Sequence, residues 1–128
     1  SNAESKPYKI SSSTLNRNDP EGKIMEFPLL TTRFFGKKIP AAGGFYLRIL
    51  PHKIIEKAII NTNKAGMPAI FYIHSWELTP EFMPKISLPI FDNFITYHNL
   101  SKAFSKMDSL LKKFKFTSFS KFIPHYKF

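Results

Sequence analysis

Apolar positions fall along this chain in more than one rhythm, and each rhythm predicts an element. Residues 24–27 and 29–34 read as one or two strands interrupted by Pro28, with Glu26 alternating between Met25 and Phe27 as in a half-buried strand. A further short strand is predicted at residues 8–10. Ile54, Ile55, Ala58 and Ile59 recur at helical spacing, which predicts a helix from His52 to about Asn63. Gly66 is placed to terminate it, with Pro68 just beyond. Residues 69–73 are apolar at every position and predict a buried strand that takes Tyr72 into the core. Phe104, Met107, Leu110, Leu111 and Phe114 predict an amphipathic helix from an N-cap at Ser101 to about Lys113, with Lys102, Lys106 and Lys112 on its wet side.

The remaining stretches are less periodic. Residues 45–50 read as a strand by propensity or a helical turn by context. Pro80, Pro84 and Pro89 predict an irregular segment over residues 78–100. Its many apolar residues, Phe82, Ile86 and Phe91 among them, should pack it down on the body as a long loop of the lid kind. Residues 116–118 suggest a short strand, and Ser118 caps a last helical turn. Alternation of strand and helix argues an α/β fold of about 3–5 short strands with two main helices. Ser1-Asn2-Ala3 reads as the scar of tag removal, residues 4–23 as an irregular lead-in, and residues 24–128 as a single folded domain.

Composition narrows the classes. The chain has 128 residues, 43% of them hydrophobic and 14 of them Phe, enough for one domain with a real core. No run approaches the roughly 20 apolar residues that span a bilayer. The absence of cysteine excludes disulfides, thiolate metal sites and a Cys nucleophile. A net charge of +10 favours anionic partners, but no nucleic-acid motif accompanies it, so nucleic acid is the weakest reading. The histidines His52, His74, His98 and His125 show no i, i+4 pair and no completing acids, so no metal site is expected within this chain.

Candidate chemistry gathers after residue 73, where His74, Ser75, Trp76 and Glu77 stand in a row at the end of the apolar run. Sites on α/β folds sit at the carboxyl ends of strands. His74 has the side chain suited to proton transfer near neutral pH. In an extended chain His74 and Glu77 would point to opposite faces, so an acid–base pair requires a turn after Ser75. Trp76 can stack on a sugar ring or anchor a loop. Arg48, near Gly43-Gly44, can grip a carboxylate or a sugar hydroxyl, or serve in an ion pair.

Four blocks resemble the C-terminal region of bacterial polysaccharide deacetylases of carbohydrate esterase family four, in the branch linked to exopolysaccharide and exosortase loci. They are Lys6-Pro-Tyr-Lys-Ile10; residues 25–33 with Gly36, Ile39-Pro40 and the Gly-rich run to Pro51; Phe71-Tyr-Ile-His-Ser-Trp-Glu77; and Leu110-Leu with Phe114-Lys-Phe-Thr-Ser-Phe119. Ser75 stands where that family usually has Pro, Thr79 where Asp is usual, and Thr96 where a His is usual, with His98 displaced. The resemblance implies the C-terminal part of a distorted (β/α) barrel. It implies that a divalent, zinc-like metal is held by the N-terminal catalytic part of a parent enzyme, and that the chain alone is inactive. His74 would then protonate the leaving amine. Trp76 and Tyr46 would line the sugar groove, and Arg48 and Glu77 would bind or orient a polysaccharide substrate. A non-catalytic carbohydrate-binding module is the alternative. Exposed strand edges of a partial barrel would favour self-association.

Overall fold

The computed structural model describes residues 4–126, so the scar expected at residues 1–3 lies outside the described residues. Strands β1 (Tyr8–Ile10) and β2 (Ile24–Glu26) form one antiparallel pair, with Tyr8 opposite Glu26. Strands β3 (Thr31–Phe34) and β4 (Lys37–Pro40) form a second, with Thr31 opposite Pro40 and Phe34 opposite Lys37. Gly36, at φ 76°, makes the tight turn between β3 and β4. Helices follow: α1 (Gly44–Ile49), α2 (His52–Lys64), α3 (Ser75–Leu78), α4 (Ile90–Tyr97), α5 (Ala103–Lys113) and α6 (Phe119–Phe122). The fold is thus a small mixed α/β domain with two antiparallel hairpins, and among the described residues no closed barrel forms. No helix there is long and apolar enough to cross a membrane.

Helix α2 holds the centre because its apolar stripe finds partners on three sides. Ile55, Ala58 and Ile59 bury against Leu30, Ala41, Ala42, Leu47, Leu50 and Leu110. The helix stops as its sequence predicts: Gly66 takes φ 73° and its N–H donates to the Asn63 carbonyl. Residues 45–50 resolve as helix α1, which buries Leu47 completely. Packing of one face overrode the strand propensity of these residues in favour of the helical turn that context allowed.

Several expectations change. Residues 69–73 join neither sheet. A single bond, from the Leu30 N–H to the Ile70 carbonyl at 3.0 Å, ties them to the start of β3. Ala69, Phe71 and Ile73 lean on the core, whereas Tyr72 is 56% exposed and not a core residue. Within residues 78–100, expected to be irregular, Pro80–Phe82 forms a single 3-10 turn and α4 follows Pro89. Pro89 sits just outside the helix, where a missing N–H is harmless. The segment packs down only in part: Leu100 is buried and Leu78, Met83, Leu88 and Ile95 are half-buried, whereas Phe82, Ile90 and Phe91 are largely exposed. Residues 116–118 form no strand, and Ser101 lies inside a 3-10 turn (Leu100–Lys102) that leads into α5, not at its cap.

Lys106 is the clearest reversal. Expected on the wet side of α5, it instead reaches under α1 and donates to the carbonyls of Leu47, Arg48 and Leu50, at 2.9–3.0 Å. These are carbonyls at the end of α1, which a cation satisfies and whose dipole it complements. Partial burial lowers the Lys106 pKa from its ordinary value, and Lys102 pushes it the same way.

A second lysine fastens α5 to α2. Lys113 Nζ donates to Glu56 Oε1 at 2.8 Å, and His52 lies 3.3 Å from the same oxygen. The hydrogen bond from Lys113 is the main reason the Glu56 carboxyl titrates below its ordinary range; burial opposes this, and the charges of Lys113, His52 and Lys53 add to it. A carboxylate depressed by folding stabilises fully above its unfolded pKa and loses that contribution as pH falls through the folded value. Glu56→Gln should therefore lower Tm near neutral pH. The gap to the unchanged chain should close as the pH falls below the ordinary carboxylate pKa of about 4.3. Thermal melts across that range check this, and a gap that stays constant contradicts it.

Candidate functional site

The site is built where residues 69–73 end and α3 begins. His74 has φ −79° and ψ 146°, and the chain turns into helix at Ser75. The turn needed for an acid–base pair therefore exists, but Glu77 does not use it that way. Its Oε2 accepts the His74 backbone N–H at 3.1 Å, and the Glu77 N–H donates to the His74 carbonyl at 3.1 Å. Glu77 thus clamps the backbone of the turn and leaves the imidazole outside, exposed. That imidazole stacks on Trp76, with ring centroids 5.5 Å apart and planes 15° from parallel. It also meets Tyr72 edge-on at 4.9 Å. Tyr72, His74 and Trp76 form a small aromatic shelf on the surface.

Beneath the shelf lies a buried ion pair. Arg48 is 2% exposed and Glu77 3%, and Arg48 Nη2 lies 3.2 Å from Glu77 Oε1. The other Arg48 donors all reach backbone carbonyls. Nε donates to Gly44, 3.2 Å away; Nη2 to Ile95, 2.8 Å away; and Nη1 to Thr96 and His98. Every N–H of the guanidinium is satisfied, which is the condition for burying the charge. The Phe45 ring lies 5.8 Å below the guanidinium carbon, within cation–π range. Ile95, Thr96 and His98 belong to the C-terminal end of α4, whose negative end Arg48 neutralises. One side chain therefore ties α1, α3 and α4 together.

Gly44 makes the pairing possible. A Cβ on it would sit 1.8 Å from either Glu77 carboxylate oxygen. Gly43, before it, takes φ 105°, a left-handed value that favours glycine. The Gly43-Gly44 pair is thus both a turn and a close approach.

The five residues expected in a site do not converge. His74, Trp76 and Glu77 share the α3 turn, and Arg48 joins them only through Glu77. Tyr46 is half-buried against the core and meets Phe45 edge-on at 5.5 Å, with no contact to His74 or Trp76 among the described residues. Arg48 and Glu77 are buried, and their polar atoms are engaged with each other and with backbone. Gly43-Gly44 reads in the sequence as a tight turn or a close approach of backbone, but its partner, the Glu77 carboxylate, and the burial of Lys106 were missed, though signals existed. Gly44 lies four residues before Arg48, and Lys106 falls on the same helical stripe as Ala103 and Leu110. Among the described residues no three His, Asp or Glu side chains group to hold a metal.

Ser75 occupies the first position of α3, and neither its N–H nor its hydroxyl has a partner among the described residues. Proline suits that position, and the extended backbone of His74 is compatible with a following proline. Ser75→Pro should stabilise the chain by about 0.4–1 kcal/mol by restricting the unfolded state. Urea unfolding measures this, and a loss of stability would show that the Ser75 turn is not the one described.

No curated protein and no solved structure matches the chain. Residues 2–124 match a family described as a domain of unknown function (DUF3473), and the chain belongs to that family.

Proposed function

We infer that this domain is the C-terminal part of a polysaccharide deacetylase, in which His74 donates a proton to the amine leaving from an N-acetylated sugar. The observation that carries the reading is the α3 turn. It presents an exposed imidazole beside Trp76, in a block that resembles the Phe-Tyr-x-His-Pro-Trp-Glu of those enzymes. The Glu77 carboxylate fixes the His74 backbone, and Arg48 fixes Glu77, so the backbone that carries the imidazole is held from behind while the ring stays exposed beside Trp76 and Tyr72. A general acid positioned in this way contributes about 10²–10⁴ in rate.

The divalent metal implied by the resemblance finds no ligand set among the described residues. Its ligands belong, on this reading, to the N-terminal part of the parent. Residues 69–73 and the exposed Ile90 and Phe91 of α4 are the surfaces on which that part would dock, since backbone without a ladder partner and exposed apolar side chains both recruit a neighbour. The same surfaces would favour self-association of the chain alone. The distorted barrel belongs to this assembly, with the present domain as its closing portion.

A second reading has its own support. Tyr72, at 56% exposure, extends the His74–Trp76 stack into a platform of the kind that receives sugar rings, which suits a non-catalytic carbohydrate-binding module. Trp76 is the sole Trp, so its fluorescence reports on that shelf directly.

The test pairs two assays. In the parent enzyme His74→Ala should lower kcat by about 10²–10⁴, with a loss under tenfold overturning the role. The chain alone should release no acetate from N-acetylchitooligosaccharide with zinc or cobalt added. Release would overturn the division of labour. Tight quenching of Trp76 by the same oligosaccharide, with no loss of rate in the parent variant, favours the module.

A further inference from the structure

The β3–β4 hairpin carries a feature that neither the fold nor the α3 turn accounts for. Arg33 and Lys38 stand directly opposite each other in the register. Directly opposed residues share one face of the ladder, and like charges there are destabilising. Among the described residues neither is paired with a carboxylate; the Lys38 ammonium donates only to the neutral Ser5 hydroxyl, at 2.7 Å. Facing them across a groove of about 680 Å³ is α2, which contributes a third unpaired cation, Lys57.

We propose that this groove binds an acidic oligosaccharide through its uronate carboxylates. Three cations that converge without acids are complementary to carboxylates, and a guanidinium takes a carboxylate through two parallel hydrogen bonds. The rest of the lining is suited to sugar. Thr31, Thr32, Asn61 and Thr62 offer hydroxyls and an amide for ring hydroxyls, while Ile54 and Met67 offer apolar surface for the C–H face of a pyranose. The cations cluster in one groove of limited volume and do not follow a long track. That suits a few sugar residues better than a nucleic-acid backbone, whose binding needs many phosphate contacts along a stripe. Phe34, the aromatic residue of the lining, already meets Phe35 edge-on at 4.5 Å. The groove takes in Met67, at the opposite end of residues 67–74 from His74, and its assignment does not depend on the deacetylase reading.

Isothermal titration at low ionic strength with tetragalacturonate, and with neutral chitotetraose as control, tests the site. Tetragalacturonate should bind at least about tenfold more tightly than the neutral sugar. The Arg33→Gln/Lys57→Gln double variant should weaken it by about tenfold or more, which corresponds to the loss of charge-assisted hydrogen bonds. Arg33→Gln alone should raise Tm of the sugar-free chain, because it relieves the like-charge opposition across the hairpin. The proposal is overturned by equal binding of the two sugars, by no binding at millimolar concentration, or by unchanged affinity in the double variant. A lower Tm for Arg33→Gln, or duplex DNA outcompeting the uronate with a steep salt dependence, overturns it equally.

Discussion

The buried pair of Arg48 and Glu77 is the constraint on which the rest of this structure depends. Two charges taken out of water are stable only when their hydrogen-bonding capacity is met, and removal of one partner from such a pair costs about 3–5 kcal/mol. Arg48 meets that condition by drawing on segments far apart in sequence: the Gly44 carbonyl one turn back, the Glu77 carboxylate on α3, and three carbonyls at the end of α4. The pair therefore fixes where α3 and α4 lie relative to α1. Those short helices, of 4, 8 and 6 residues, are below the length at which a helix holds itself together in water. The core beneath them, centred on Ile55, Leu47 and Leu110, holds α1 to α2 and α5 but does not reach α4, which has no buried residue.

This arrangement gives the His74 turn its form. Glu77 is shared between Arg48 and the His74 backbone, so the buried pair and the exposed imidazole are two ends of one hydrogen-bonded unit. The residue whose ring faces solvent packs only against its surface neighbours Tyr72 and Trp76, and the residues that hold its backbone are shielded from solvent. That division suits a group that must meet a ligand without moving. It also explains Gly44: the carboxylate occupies the space where any other residue would place a Cβ.

How much of this was legible in the sequence depends on what each contact leaves in the residue pattern. Helix α2 and its Gly66 stop were readable because apolar spacing and a glycine past the last turn are local signals. The cluster from His74 to Glu77 was readable as a candidate site, and Arg48 as a residue for a carboxylate, a sugar hydroxyl or an ion pair, with nothing in the sequence to choose among them. Arg48's carbonyl partners were not readable, since a backbone carbonyl belongs to every residue alike. Helix α4 was hidden by Pro80, Pro84 and Pro89, which mark breaks but do not say on which side of a break a helix begins. Residues 69–73 have the composition of a core strand, yet no ladder forms there, because strand composition specifies a pleated, half-buried surface and not the neighbour that completes it.

A double-mutant cycle on the buried pair tests the central claim most directly. Arg48→Met, Glu77→Gln and the two together are unfolded in urea alongside the unchanged chain. If the pair is the joint between α1, α3 and α4, each single change costs several kcal/mol and the double change costs less than their sum, by about 1–3 kcal/mol. Changes that add to within about 0.5 kcal/mol would show that Arg48 and Glu77 act independently, and would contradict the account.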